Sequence, residues 1–391
     1  MIETEQLGGR RRAVPLAGAS LFVAVSTGGL GLIVQLYLKD LQTPVFLIGL
    51  VGTLNSAGLL LGSWLWGTVS DYVKRRRLLI FLTLTLTAAV SVLIALPAIG
   101  IVLSTAFVRS LMFSGVGVVS IAVVSATSQV KHRGKNLSYI SSARSFGFAA
   151  GNILAGFALE RLGFRPAFIL LAGVPILAFA MVWFLPRENP VARRERIGAW
   201  HAVFSSGLLD LYVATALRQM AIFGTFGLLY VYMADLGIPT SLMGIISATN
   251  TATQVLAILI FGWLADLLGR RRIFMLGFFV SACVPLFFVV FTNVAGMVAG
   301  YAALAISFSS MYVGSAAHIG DRVPDHRQGQ MMGLYESSRG LGGLFGPLIA
   351  GAIVPVVGFR GMFLVMCGIG TLGFTVMLLG RTVLGKRLVG D

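Results

Sequence analysis

Gly67-Thr-Val-Ser-Asp71-Tyr-Val-Lys-Arg-Arg-Arg77 and Gly262-Trp-Leu-Ala-Asp266-Leu-Leu-Gly-Arg-Arg-Arg272 carry one pattern, 195 residues apart. In each, a glycine sits near the end of an apolar run, an aspartate follows, and an arginine triplet opens the next apolar run. The same offset pairs Tyr37 with Tyr232, Asp40 with Asp235, Pro44 with Pro239, Gly49 with Gly244 and Asn55 with Asn250. It also pairs Gly134 with Gly329, Arg144 with Arg339, Gly151 with Gly346, and Gly163-Phe164-Arg165 with Gly358-Phe359-Arg360. An offset that stays constant over this length means two ungapped copies of one unit.

Composition says what kind of unit. Of 391 residues, 57% are apolar and 11% charged, and the mean hydropathy is +0.90. A soluble domain carries about a quarter charged residues, so a soluble enzyme is excluded for want of charges to coat its surface. Disorder is excluded by the high hydrophobicity. A polytopic membrane protein remains. Apolar runs of spanning length, roughly 20 residues, fall at 14–38, 45–66, 78–97, 101–129, 137–159, 166–185, 208–234, 241–264, 273–292, 296–320, 330–355 and 361–380. The expected fold is an all-α membrane protein with twelve transmembrane helices in two pseudosymmetric six-helix bundles. The expected domains are 1–186, a polar linker 187–206, and 207–391. Six spans per copy bring both copies in from the same side, a parallel repeat. The first span follows Arg10, Arg11 and Arg12, and no small-residue cleavage site precedes Lys39-Asp40, so it is expected to be a retained helix.

The net charge of +16 is explained by position. Arg10 to Arg12, Lys74 to Arg77, Lys131, Arg133, Lys135, Arg187, Arg193, Arg194, Arg196, Arg270 to Arg272, Arg322, Arg327, Arg381, Lys386 and Arg387 all fall in even-numbered connections or at the ends. Lys39, Arg161, Arg165 and Arg360 alone occupy the odd connections. This bias places both termini and the even loops in the cytoplasm, with the chain in the plasma (inner) membrane. With no concentrated basic domain, nucleic acid is not an expected partner. Cys283 and Cys367 lie in apolar runs and read as core residues. No metal constellation or ATP-binding loop is present, so no cofactor and no enzymatic activity is expected.

The paired Gly-x-x-x-Asp segments resemble the loop 2–3 and 8–9 motif of the major facilitator superfamily, over essentially the whole chain. The first copy departs from the motif, with Lys74 where the second has Gly269. The resemblance implies a secondary transporter working by alternating access. Its latch would comprise Asp71, Arg75, Asp266 and Arg270. Gly147-Phe-Ala-Ala-Gly151-Asn152-Ile-Leu-Ala-Gly156 and Gly342-Gly-Leu-Phe-Gly346-Pro347-Leu-Ile-Ala-Gly351 resemble the glycine motif of the family's exporters, the second more closely. Small residues at this spacing also serve plain helix packing. Arg109-Ser-Leu-Met-Phe-Ser-Gly115-Val-Gly117 resembles the family's span-4 arginine stretch, with the arginine displaced and the glutamine missing.

Ionisable residues inside spans are expensive and mark function or pairing. Arg144 and Arg339 are repeat mates and are expected to join the latch or pair structurally. Arg109 and Arg218 have no charged mates, since Leu304 and Val23 stand at those positions, and they fall near the midplane. They are candidates for substrate binding or for helix packing, with Gln35, Asn152, Gln219, Tyr230 and Gln254 as further lining candidates. Glu336, whose mate is Ser141, lies three residues before Arg339. It reads as a buried proton carrier or as a permanent salt bridge, with His318 as a second proton-coupling candidate. The function expected is proton-coupled export of small organic or amphiphilic solutes. The alternatives are exchange or symport of organic anions by the intramembrane arginines, or a non-transporting sensor or lipid-handling role. The expected partners are a small-molecule substrate, a proton or counter-ion and the lipid bilayer, with the chain as a monomer.

Overall fold

A computed structural model of the chain describes residues 2–70, 72–95, 98–127, 130–183, 185, 208–320 and 325–380. These are helical throughout apart from short turns, and no strand occurs among the described residues. Lipid offers a backbone no hydrogen-bond partner, so each spanning segment must satisfy its amides internally, which a helix does.

In chain order the helices are α1 (Ile2–Asp40), α2 (Val45–Val69), α3 (Arg75–Ala95), α4 (Ile99–Thr127), α5 (Val130–Leu162) and α6 (Phe164–Trp183). There follow α7 (Leu209–Gly227), α8 (Leu229–Asp235), α9 (Thr240–Leu268), α10 (Arg270–Val290), α11 (Val294–Gly320) and α12 (Asp325–Leu379). Gly358, at φ 69°, ψ 179°, breaks α12 into two arms, which correspond to the last two expected spans. The expected span 208–234 is not continuous. Leu228, at φ −126° and ψ 6°, separates α7 from α8. Among the described residues, eight helical stretches are long and apolar enough to cross a membrane. Helices occupy the other expected positions, but α3 holds only a shorter apolar stretch, Arg77–Val90.

The turns repeat with the sequence. Gln42 and its mate Gly237 both take a left-handed backbone (φ 52° and 72°), as do Gly163 and its mate Gly358 (φ 81° and 69°). Gly269 also sits at positive φ, 88°. Its mate Lys74 does not, so the two Asp-Arg loops turn differently. A side chain at φ near +90° would meet its own backbone, and the first copy avoids this by taking another path.

The chain divides into two compact units. The first is Met1–Gln42, Leu54–Arg194 and Ile238–Ala248; the second is Thr43–Thr53, Glu195–Gly237 and Thr249–Asp391. The two units thus exchange the opening turns of α2 and α9. Glycine explains the exchange. Gly49 on α2 lies against Pro347 and Gly351 of α12, and its mate Gly244 on α9 lies against Asn152 of α5. In the first unit α5 packs on α1; in the second α12 packs on α7. A Cβ at Gly151 would collide with the Val25 carbonyl, and one at Gly346 with that of Met220, the mate of Val25. Aromatic contacts repeat too. Tyr37 meets Phe164 and Phe168 edge-on at 5.3 and 5.5 Å. Their mates Tyr232, Phe359 and Phe363 pack at 5.3 and 5.1 Å.

Candidate functional site

What the two copies share is scaffold, so the differences between them locate the candidate site. Arg109 on α4 is 3% exposed. Its Nη2 donates to Asn55 Oδ1 on α2 at 3.2 Å, and the Ser110 hydroxyl donates to the same oxygen at 2.8 Å. The Arg109 Nε–H has no acceptor in the protein. An unmet donor on a buried cation is costly, so this nitrogen is suited to an acceptor supplied from outside the chain. Asn250, the mate of Asn55, instead donates its Nδ2–H to the Tyr301 carbonyl at 3.1 Å.

Arg218 on α7 is equally buried, at 3% exposure, but its guanidinium is engaged on every nitrogen. Nε donates to Ser281 Oγ at 2.6 Å, Nη1 to Gln219 Oε1 at 2.9 Å and Nη2 to Ser307 Oγ at 2.9 Å. The two serine hydroxyls also touch each other and both reach the Gly277 carbonyl. Arg218 therefore ties α7 to α10 and α11, and it consumes Gln219 in doing so.

The remaining lining candidates separate in the same way. Gln35 on α1 is half-buried, and its Oε1 accepts no hydrogen bond. Tyr230, its mate, is buried and hydrogen-bonded side chain to side chain with Tyr301. Asn152 sits where α5 meets α9. Gln254 is half-buried, and its carbonyl accepts the Ser309 hydroxyl at 3.3 Å.

Glu336 is not the buried carboxylate that was expected. Its side chain is 57% exposed and that of Arg339 25%. The arginine Nη1 reaches both carboxylate oxygens at 2.9 Å, while its guanidinium lies over the Phe308 ring at 5.5 Å. Arg339 thus pairs along its own helix. Its mate Arg144 is half-buried with its Nη1 beside Gly117 of α4. Asp71 lies outside the described residues, as do the side chains of Arg75, Asp266, Arg270 and His318. No metal-binding group of three or more His, Cys, Asp or Glu occurs among the described residues.

One polar contact went unrecognised in the sequence. Glu160, near the end of α5, accepts the Ser241 backbone N–H at 2.8 Å, and the Thr240 hydroxyl donates to the Gly156 carbonyl at 3.1 Å. Hydrogen bonds from the Ser241 hydroxyl and backbone hold the Glu160 carboxyl below the usual carboxylate range, with help from Thr240 and Arg161. Its mate is Pro355. A carboxylate with no mate, and a Thr-Ser pair opening α9, were the available signals.

A family model described as Major Facilitator Superfamily matches residues 16–232 and 211–389. Curated relatives include the multidrug resistance protein MdtG of Klebsiella pneumoniae (strain 342), 28% identical over 62% of this chain and 62% of that protein. MdtG of Salmonella typhimurium (strain LT2) is 26% identical over 62% of this chain and 63% of its own length. The chain therefore spans less than two thirds of the length of these relatives. Similar solved structures include a bacterial homolog of the human lysosomal transporter Spinster, inward-facing and occupied. It has a TM-score of 0.80 at 12% identity and covers 97% of this chain and 98% of that one. Another is the nucleoside transporter NupG, with a TM-score of 0.75 at 13% identity, covering 96% of this chain and all of that one (100%).

Proposed function

Because the chain belongs to the major facilitator superfamily, we propose that it is a transporter, not an enzyme, and exports small organic or amphiphilic solutes by proton-coupled alternating access. In this account twelve spans form two six-helix bundles, one per sequence copy, with the polar stretch 187–206 between them. Both termini lie in the cytoplasm, the bilayer is the plasma (inner) membrane, and the monomer is the working unit. Multidrug relatives in two enteric bacteria support the solute class. The observation that carries a ligand-binding role is Arg109, a buried cation with an unmet N–H inside the first unit.

Proton coupling is assigned to Glu336. The latch role of Asp71, Arg75, Asp266 and Arg270 is proposed on their motif alone. The Gly147–Gly156 and Gly342–Gly351 segments add little to an export direction, because the same glycines serve packing in both units. Exchange or symport of organic anions is the second reading. Arg109 favours it, since its hydrogen-bond partner Asn55, which also accepts from Ser110, is neutral.

The test is flux in proteoliposomes under an imposed pH gradient, with competition by a panel of small organic anions, cations and neutral amphiphiles. Gradient-dependent flux with broad competition is expected. Competition by anions alone, without gradient dependence, favours the second reading. Ligand binding with no flux of any solute refutes both.

A further inference from the structure

The two sequence copies differ in ring content beside Arg109. In the second copy, the Tyr301 ring packs edge-on against Phe226 at 5.0 Å and its hydroxyl region bonds to Tyr230. The mates of these three aromatic residues in the first copy are Gly31, Gln35 and Ala106. Three rings are thus replaced by a glycine, an amide and a methyl group. At Gly31 the structure leaves the difference unfilled. A Cβ built on Gly31 meets no atom within 4 Å, and the Gln35 Oε1 that stands in place of the Tyr230 ring has no donor.

Helix periodicity gathers the surroundings. Gly31 and Gln35 lie four residues apart on one face of α1, and Ala106, Arg109 and Phe113 lie at successive turns on one face of α4. α1 packs on α4. Phe113 meets Phe148 of α5 at 5.6 Å, and Phe148 in turn abuts Gly28, one turn before Gly31. The recess therefore offers one unmet acceptor, Gln35 Oε1, and one unmet cationic donor, Arg109 Nε. It also offers room at Gly31, where the other copy has the Phe226 ring, beside the Phe113–Phe148 pair. Both unmet groups are buried atoms, and each carries a desolvation cost that a ligand's hydrogen bond would relieve.

We propose that this α1–α4 recess of the first unit binds the ring of a small aromatic acid, its phenol-type O–H or N–H donating to Gln35 Oε1 and its anionic oxygen accepting from Arg109 Nε. The proposal rests on the transport reading for its meaning but not for its test. It names the solute class: aromatic, anionic, and carrying a donor at the end of the ring remote from the charge. The recess presents a guanidinium and no carboxylate among these residues, so an aromatic cation is refused.

Binding of radiolabelled 4-hydroxybenzoate to the purified, detergent-solubilised full chain tests it, with benzoate and phenyltrimethylammonium as competitors. Benzoate, which lacks the donor, should bind about three- to tenfold more weakly. Gln35→Ala should bring 4-hydroxybenzoate down to the benzoate level while leaving benzoate unchanged, since only the donor contact is lost. Gly31→Phe, which restores the ring of the other copy, should weaken both acids at least tenfold with a parental melting curve. Phenyltrimethylammonium should not compete.

Absence of saturable binding by the parent chain overturns the proposal, as do equal affinities for the two acids or competition by the cation. A folded Gly31→Phe variant that binds like the parent also overturns it. If Gly31→Phe does not fold, the Gln35→Ala comparison decides alone. Failure of the transport reading looks different: binding persists in detergent and no solute crosses a proteoliposome. Flux of other solutes without 4-hydroxybenzoate binding refutes the recess and leaves transport standing.

Discussion

Replacing Arg218 with alanine is predicted to damage folding before it damages ligand recognition. The arginine donates to Ser281, Ser307 and Gln219. When it is removed the two serines keep the Gly277 carbonyl as acceptor, at 2.7 and 3.2 Å, so neither hydroxyl is stranded. Gln219 Oε1 loses its donor, a cost of about 1–3 kcal/mol for a buried unpaired group. Truncation of a large buried side chain adds about 2–5 kcal/mol for lost packing and the cavity left behind. Relief of the buried charge offsets part of this, leaving roughly 3–5 kcal/mol. Arg218→Met keeps most of the volume and should cost about 1–2 kcal/mol. At roughly 2–4 °C per kcal/mol for a unit of this size, thermal unfolding of purified protein should show a fall of roughly 10 °C for alanine and roughly 5 °C for methionine. Solute affinity measured below those temperatures should change less than threefold. Parental melting curves combined with a tenfold loss of affinity would refute this, and would return Arg218 to the substrate site.

Gly151→Leu should yield little folded protein by gel filtration, because the side chain meets the Val25 carbonyl, whereas Gly173→Ala, whose Cβ meets nothing within 4 Å, should melt like the parent. The depressed pKa of Glu160 means that its contact with Ser241 is present at neutral pH and is lost as pH falls through the folded-state value. Hydrogen exchange of the Ser241 amide, corrected for intrinsic rate, should therefore quicken in acid and in Glu160→Gln at neutral pH; equal protection in parent and variant would contradict the contact. Glu336→Gln should abolish pH-driven flux and leave solute exchange at equal pH intact. Survival of pH-driven flux removes Glu336 as the proton carrier, and loss of both activities marks its pair with Arg339 as structural.

Much of the fold was legible because a repeat prints itself twice. The left-handed turns at Gln42 and Gly237, the close approaches at Gly151 and Gly346, and the trios around Tyr37 and Tyr232 all follow the 195-residue offset. The break at Leu228 was not legible, since no proline stands there, the preceding Gly227 is one of many glycines inside apolar runs, and the apolar run continues through it. Nor was the exchange of the α2 and α9 ends between units, which depends on which helix each glycine meets. The site was read less completely. Burial of Arg109 and Arg218 followed from the cost of a charge in lipid. Their separation into a satisfied tie and an unmet donor depended on serines from α10 and α11, distant in sequence. Glu336 looked buried because its span is apolar, but depth in a membrane is not burial in protein. The recess beside Gly31 was invisible for a related reason: an absence of rings becomes evident only when the other copy shows where the rings belong.

The central claim is that one solute site is exposed alternately to the two sides of a membrane, and counterflow measures this most directly. Proteoliposomes carrying the full chain would be loaded with unlabelled solute, diluted into trace labelled solute at equal pH, and followed for uptake. Labelled solute should accumulate transiently above its external concentration, and Gly31→Phe should suppress the overshoot for 4-hydroxybenzoate. A channel or a non-transporting member gives no overshoot. Uptake that only equilibrates, or none at all from vesicles whose protein still binds the solute, would contradict alternating access.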